Sequence, residues 1–120
     1  MPSSSEMKAV LQAYIDAFNR GDAEAIVALY AEDATVEDPV GSPPKRGRQA
    51  ILEFYREAIA TGGRIVLDSP MRGSHGDAAA MAFSVHVGPM TVRVIDTMTF
   101  DASGRITQMR AYFGPDDFVQ

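Results

Sequence analysis

Three residues of this chain, Tyr14, Asp38 and Asp96, sit where a phenol or a carboxyl could do proton chemistry. Asp38 stands directly before Pro39, within the stretch TVEDPVGSPPKRGRQAILEFY from Thr35 to Tyr55. The proline ring excludes the helical region for the residue ahead of it, so the Asp38 backbone is extended and its carboxylate is aimed. An Asp before Pro is also an ordinary turn former, and on this stretch alone a turn and a general base are both open readings. Asp96 interrupts an apolar row that alternates through Met90, Val92, Val94, Met98 and Phe100. A carboxyl directed into a core stays neutral, because low dielectric disfavours the charged form, and it then donates a hydrogen bond. The alternatives are a bulge that turns Asp96 to solvent, or an internal ion pair with Arg93 or Arg110. Tyr14 lies on an apolar helical stripe, where core filling would account for it, but a buried phenol needs a partner for its hydroxyl. Taken together, two neutral donors in an apolar setting suit a developing oxyanion, and a carboxylate at a strand end suits a base.

The elements that must position these groups follow from the period of the apolar residues. Ser3 with Glu6 three residues later forms a capping box, opening a helix with Met7, Val10, Leu11, Tyr14 and Phe18 on one stripe. Gly21 stops it, and Asp22 caps a second helix running through Ile26, Val27, Leu29 and Tyr30. A strand from about Ala34 leads to Asp38, and Gly41, Pro43, Pro44 and Gly47 shape the loop that follows. A third helix carries Ile51, Leu52, Tyr55, Ala58 and Ile59, and Gly62 and Gly63 end it. The period then changes to two. Arg64 to Ser69 reads as a strand, Pro70 as a break and Ser74 to Asp77 as a turn. Ala79, Met81, Phe83, Val85 and Val87 share one face of the next strand, with Ser84 and His86 on the other. Gly88 and Pro89 turn the chain into the strand that carries Asp96, and DASG makes a hairpin into a last strand ending near Phe113. Helices first and antiparallel strands after them predict an α+β fold, with the helices packed over one face of a curved sheet. Such a sheet can close into a cone with an apolar pocket beneath the helices.

Composition narrows the chemistry. A chain of 120 residues forms one domain, 1–120, able to bury a core without staples. With 46% hydrophobic and 22% charged residues, and no apolar run long enough to span a bilayer, the expectation is a water-soluble protein without a membrane partner. The start MPSSSEMKAV lacks the pattern of a secretory signal, and the absence of cysteine fits the cytoplasm. A net charge of -5 argues against nucleic acid, and Lys45, Arg46 and Arg48 read as a solvated cluster. No activated Ser, Thr or Cys and no phosphate-cradling glycine loop supports acyl or phosphoryl transfer. His75 and His86 read as surface histidines. Asp33 and Glu37 near Asp38 match no calcium loop, and alternation sends Glu37 to the opposite face, so no metal is expected.

The segments around Tyr14, YAEDATVEDPVGSPPKRGRQAILEFYR, MAF at Met81 and VIDTMTFDASGRITQMRAYF resemble the bacterial ketosteroid isomerases, or steroid delta-isomerases, of the nuclear-transport-factor-two-like superfamily. The similarity covers nearly the whole chain. Ketosteroid isomerases are themselves the standard case of a base Asp opposed by a Tyr and a protonated Asp. The resemblance implies a cone-shaped curved antiparallel or mixed sheet with three N-terminal helices over its concave face. It implies proton transfer within a β,γ-unsaturated 3-ketosteroid: Asp38 takes a proton from C-4, Tyr14 and neutral Asp96 hold the dienolate oxygen, and Asp38 returns the proton to C-6. No cofactor is required. Tyr30 and Tyr55 would support Tyr14 through hydroxyl contacts, and Phe54, Met81, Phe83, Val85, Met109 and Phe113 would line the pocket. A homodimer through the outer sheet face is also implied. The hairpin at Gly88 and Pro89 looks shorter than in well-known members, and Phe113 stands where some have Trp, which bears on substrate preference. The competing readings are a steroid- or lipid-binding module without catalysis and a polyketide cyclase-like, dehydratase or epoxide hydrolase enzyme of the same fold. A binder has no need of a base opposite two neutral donors.

Overall fold

The computed structural model describes residues 1–120. Three helices, α1 (Ser4–Asn19), α2 (Ala23–Val27) and α3 (Arg48–Ala60), pack against a sheet of seven strands. The strands are β1 (Tyr30–Glu37), β2 (Lys45–Arg46), β3 (Arg64–Leu67), β4 (Ala78–Val87), β5 (Met90–Phe100), β6 (Ile106–Tyr112) and β7 (Phe118–Val119). Their order is β2-β1-β6-β5-β4-β3, with β7 added beside β5. β1 runs parallel to β6 and the other pairs are antiparallel, so the sheet is mixed, and its curve is not closed. No helix is long and apolar enough to cross a membrane.

Local chemistry sets the helix ends. The Ser3 hydroxyl accepts from the Glu6 amide at 3.1 Å and the Glu6 carboxylate accepts from the Ser3 amide at 2.8 Å, closing the capping box. Asp22 accepts from the Ala25 amide at 3.0 Å and opens α2. Because α2 ends at Val27, Tyr30 is not helical: it begins β1, four residues before the expected start at Ala34. An aromatic just after the two-residue turn 28–29 pairs readily with β6, opposite Ile106. Lys45 and Arg46, expected as loop, pair with Val36 and Thr35 as β2. β3 stops at Leu67, two residues short of the expected Ser69. Beyond Phe113 the chain makes a 3₁₀ turn, Pro115–Asp117, and then β7, neither of which the apolar pattern signals.

Cross-strand partners share a face, so the concave side can be read as rows. Ile65, Val85, Val92 and Phe118 form one row, and Leu67, Phe83 and Val94 the next. Met81, Asp96 and Ala111 form a third, and Ala79, Met98 and Met109 a fourth. Met98 and Met109 are fully buried with Met7, Leu11, Ile26 and Ile51 from the helices. Side chains of this size contribute roughly 1.5–3 kcal/mol each on full burial, which holds the helices over this part of the sheet.

Candidate active site

Asp38 follows directly on β1 and is fixed by its neighbours on both sides. The Val40 amide donates to the Ala111 carbonyl at 2.8 Å, and the Ser42 amide and hydroxyl both donate to the Pro39 carbonyl, at 3.0 and 2.7 Å. Gly41, at φ +103, takes a turn that a side chain would strain, and its amide donates to Glu37 at 3.0 Å. Glu37 also accepts from Arg110 at 3.1 Å on the outer face. The Asp38–Pro39 peptide is cis. Asp38 points the other way, into the concave side, and burial pushes its carboxyl up from 3.8 to about 6.

Asp96 is 2% exposed, and neither of its oxygens has a hydrogen-bond partner in the protein. Its register is regular, opposite Met81 and Ala111; the irregularity in β5 lies at Thr99 and Phe100. The bulge considered for this position is therefore absent. Arg110 is engaged by Glu37, and Arg93 is exposed on the opposite face, so the internal ion pair is absent too. Burial first, and then the facing charge of Asp38, raise the Asp96 carboxyl well above its ordinary range. Burial there favours the neutral acid, the form with a proton to donate.

Tyr14 comes from α1, Tyr55 from α3 and Tyr30 from β1. The Tyr55 hydroxyl donates to the Tyr14 oxygen at 3.1 Å and lies 2.6 Å from the Tyr30 oxygen. Each phenol has one hydrogen, so if Tyr55 gives its own to Tyr14, the hydrogen on the shorter contact comes from Tyr30. The direction is Tyr30 to Tyr55 to Tyr14, and the Tyr14 hydrogen is left for whatever enters the pocket. Burial raises the Tyr14 phenol well above its ordinary value, and the Asp38 carboxylate adds to it, so it remains protonated. Arg48 fixes the head of this chain by donating from two nitrogens to the Tyr30 carbonyl, at 3.2 and 2.8 Å.

These groups meet in a cavity of about 230 Å³ between the helices and the concave face. Tyr14, Asp38 and Asp96 all line it, with Phe54, Tyr55, Phe83, Val85 and Phe113 among the other expected residues. Tyr30, Met81 and Met109 do not: Tyr30 is reached only through Tyr55, and both methionines are packed into the core. Alternation correctly turns the two methionines inward, but inward is not the same as lining, because the helices cover this end of the sheet. Beyond the expected residues, Phe18, Ala58, Thr61, Ile65, Val92, Val94 and Phe118 also line the pocket. Ile65 and Phe18 carried an apolar-pattern signal, whereas nothing in the sequence placed Phe118. No group of three or more acidic, His or Cys side chains gathers in a way that would hold a metal ion.

The arrangement thus gathers Asp38, a carboxyl that can serve as a base, with Tyr14 and Asp96, two buried groups that can donate, on the wall of one apolar cavity. Comparison with known proteins gives the same direction. The SnoaL-like domain family matches residues 11–109. The Steroid Delta-isomerase of Nocardioides simplex is 43% identical over 97% of this chain and 96% of its own length. The Epoxide hydrolase LasB of Streptomyces lasalocidi is 26% identical over 98% of this chain, which spans only 44% of that protein. The solved structure of the epoxide hydrolase/cyclase-like enzyme SalBIII, concerned with pyran ring formation in the polyether salinomycin, superposes with a TM-score of 0.90. Identity there is 28%, with 98% of each chain covered.

Proposed function

This chain belongs to the SnoaL-like domain family and, within it, to the steroid delta-isomerases, and on that premise we propose that it isomerises a β,γ-unsaturated 3-ketosteroid to the conjugated α,β-enone. The observation that carries the reading is the pairing of a carboxylate tuned to about 6 with two neutral donors, Tyr14 and Asp96, in one apolar cavity. Near neutral pH Asp38 is mainly ionised, yet basic enough to take a C-4 proton made acidic by the adjacent carbonyl and alkene. As that bond breaks, charge moves onto the carbonyl oxygen, where the free Tyr14 hydrogen and the Asp96 proton meet it. Donors held ready in a site of low dielectric stabilise the dienolate more than the ketone, and losing one typically costs about 3 kcal/mol. Protonated Asp38 then returns the proton at C-6. The Tyr30–Tyr55–Tyr14 chain supports this step, because a phenol that accepts a hydrogen bond donates its own hydrogen more strongly.

The scheme draws on no cofactor. We place the protein in the cytoplasm, which its lack of cysteine fits, and assign it a homodimeric state formed through the outer sheet face. A second reading, epoxide opening, is favoured by the likeness to SalBIII: Asp96 or Tyr14 would protonate the epoxide oxygen while Asp38 activates the nucleophile. The test is the near-ultraviolet absorbance of the conjugated enone. Purified protein mixed with a β,γ-unsaturated 3-ketosteroid is expected to generate it rapidly; absorbance no greater than in buffer would remove the isomerase reading.

A further inference from the structure

We propose that Phe118, carried to the pocket by the C-terminal tail, sets the preference of the site for a ligand of four fused rings over smaller ketones. This deepens the isomerase reading and rests on it for the nature of the ligand. β6 ends with Tyr112 opposite Ile95, leaving the first half of β5 without β6 as a neighbour. The 3₁₀ turn at Pro115–Asp117 redirects the chain, held by the Gly114 amide donating to Asp117 at 2.7 Å and the Asp117 amide donating to the Gly114 carbonyl at 3.0 Å. β7 then takes the place β6 has left, with Phe118 opposite Val92 and Val119 opposite Thr91.

The consequence is the row Ile65, Val85, Val92 and Phe118, drawn from four strands and every member of it on the pocket wall. Val92 precedes Asp96 by four positions on β5, and a strand rises about 3.3 Å per residue, so the row lies roughly 13 Å along the strand from the donor. A carbonyl held at Asp96 and Tyr14 therefore sends the remote rings of a long, flat ligand over this row, while a single-ring ketone ends before it. The row is wholly apolar. Thr61, the polar residue near it on the wall, has its hydroxyl engaged with the Ala58 carbonyl at 2.6 Å. Phe118 is 45% exposed and meets the Phe113 ring edge to face at 5.8 Å, so a ligand ring beneath it would bury a face that now meets water.

The test compares equilibrium binding of a four-ring steroid phenol with that of phenol itself, in the wild type and in Phe118→Ala. Binding avoids any dependence on turnover. Phe118→Ala is expected to weaken the four-ring phenol by about tenfold or more and simple phenol by less than about twofold. Phe118→Leu, which keeps part of the apolar contact, should fall between them and carries the comparison if the alanine variant does not fold. Equal weakening of both ligands, or no weakening of the larger, would overturn the assignment. A wild type that binds with this size dependence but produces no enone would instead overturn the isomerase reading and leave Phe118 in its role.

Discussion

Burial raises both Asp38 and Asp96, but Asp38, at the end of a strand, keeps some contact with solvent and reaches only about 6, whereas Asp96 is 2% exposed and faces Asp38. The surroundings thus favour ionisation at Asp38 over Asp96 at the same pH, which is the division the proposed scheme requires. Since the base must be deprotonated, kcat/KM should be level from about pH 7 to 8 and fall below it with a midpoint near 6, close to tenfold per unit at lower pH. A steady-state pH profile checks this, and a plateau persisting to pH 4 would remove Asp38 as the base. The sign for stability is the reverse. A folded-state value above the ordinary 3.8 favours the neutral form, so that contribution is present below about pH 4 and is lost as pH rises through about 6. These residues were legible because their signals are local: a proline after Asp38, and one carboxyl out of place in an apolar row at Asp96.

At the scale of elements, the site depends on a few side chains that tie helices to strands. Asn19, at the end of α1, donates to the Ile65 carbonyl at 2.9 Å and accepts from the Ile65 amide at 2.8 Å. It thereby completes the free side of β3, an edge strand, and anchors one end of the apolar row at the mouth of the pocket. Arg48 plays the corresponding part between α3 and β1 at Tyr30. Asn19→Ala leaves both partners of a half-buried pair without their bonds and is expected to lower unfolding free energy by about 1–3 kcal/mol in urea denaturation. A change within error would show that solvent replaces the clamp at no cost. Periodicity and capping residues located α1, α3, β4 and β5 well. Tyr30 and the two-residue strands escaped because pairing rather than pattern makes them strands: β2 and β7 are too short for alternation to be visible. For the same reason Phe118 could not be placed, since its position follows from where β6 stops.

For the molecule as a whole, the two faces of the sheet differ in what they present. The concave face carries the pocket, while the outer face leaves Val66, Ile95 and Tyr112 exposed at 44%, 49% and 42%. Ile95 and Tyr112 are direct cross-strand partners, so they form one continuous apolar spot beside the Arg93 side of β5. If this is the dimer face, sedimentation should give twice the 13.0 kDa chain mass, and Ile95→Arg should shift the protein to the single-chain mass. A wild type that sediments as one chain would remove the homodimer. The order of helices and strands made the α+β class readable from the sequence, but the parallel pairing of β1 with β6 joins segments some seventy residues apart and has no local signature. The central claim remains that Asp38 moves the proton. The most direct measurement is enone formation by Asp38→Asn beside the wild type, with binding of a steroid phenol measured on the same two proteins. Loss of turnover by a factor of at least about a hundred, with binding retained, is the predicted result. Turnover that survives the substitution, or a loss of binding as large as the loss of turnover, would contradict it.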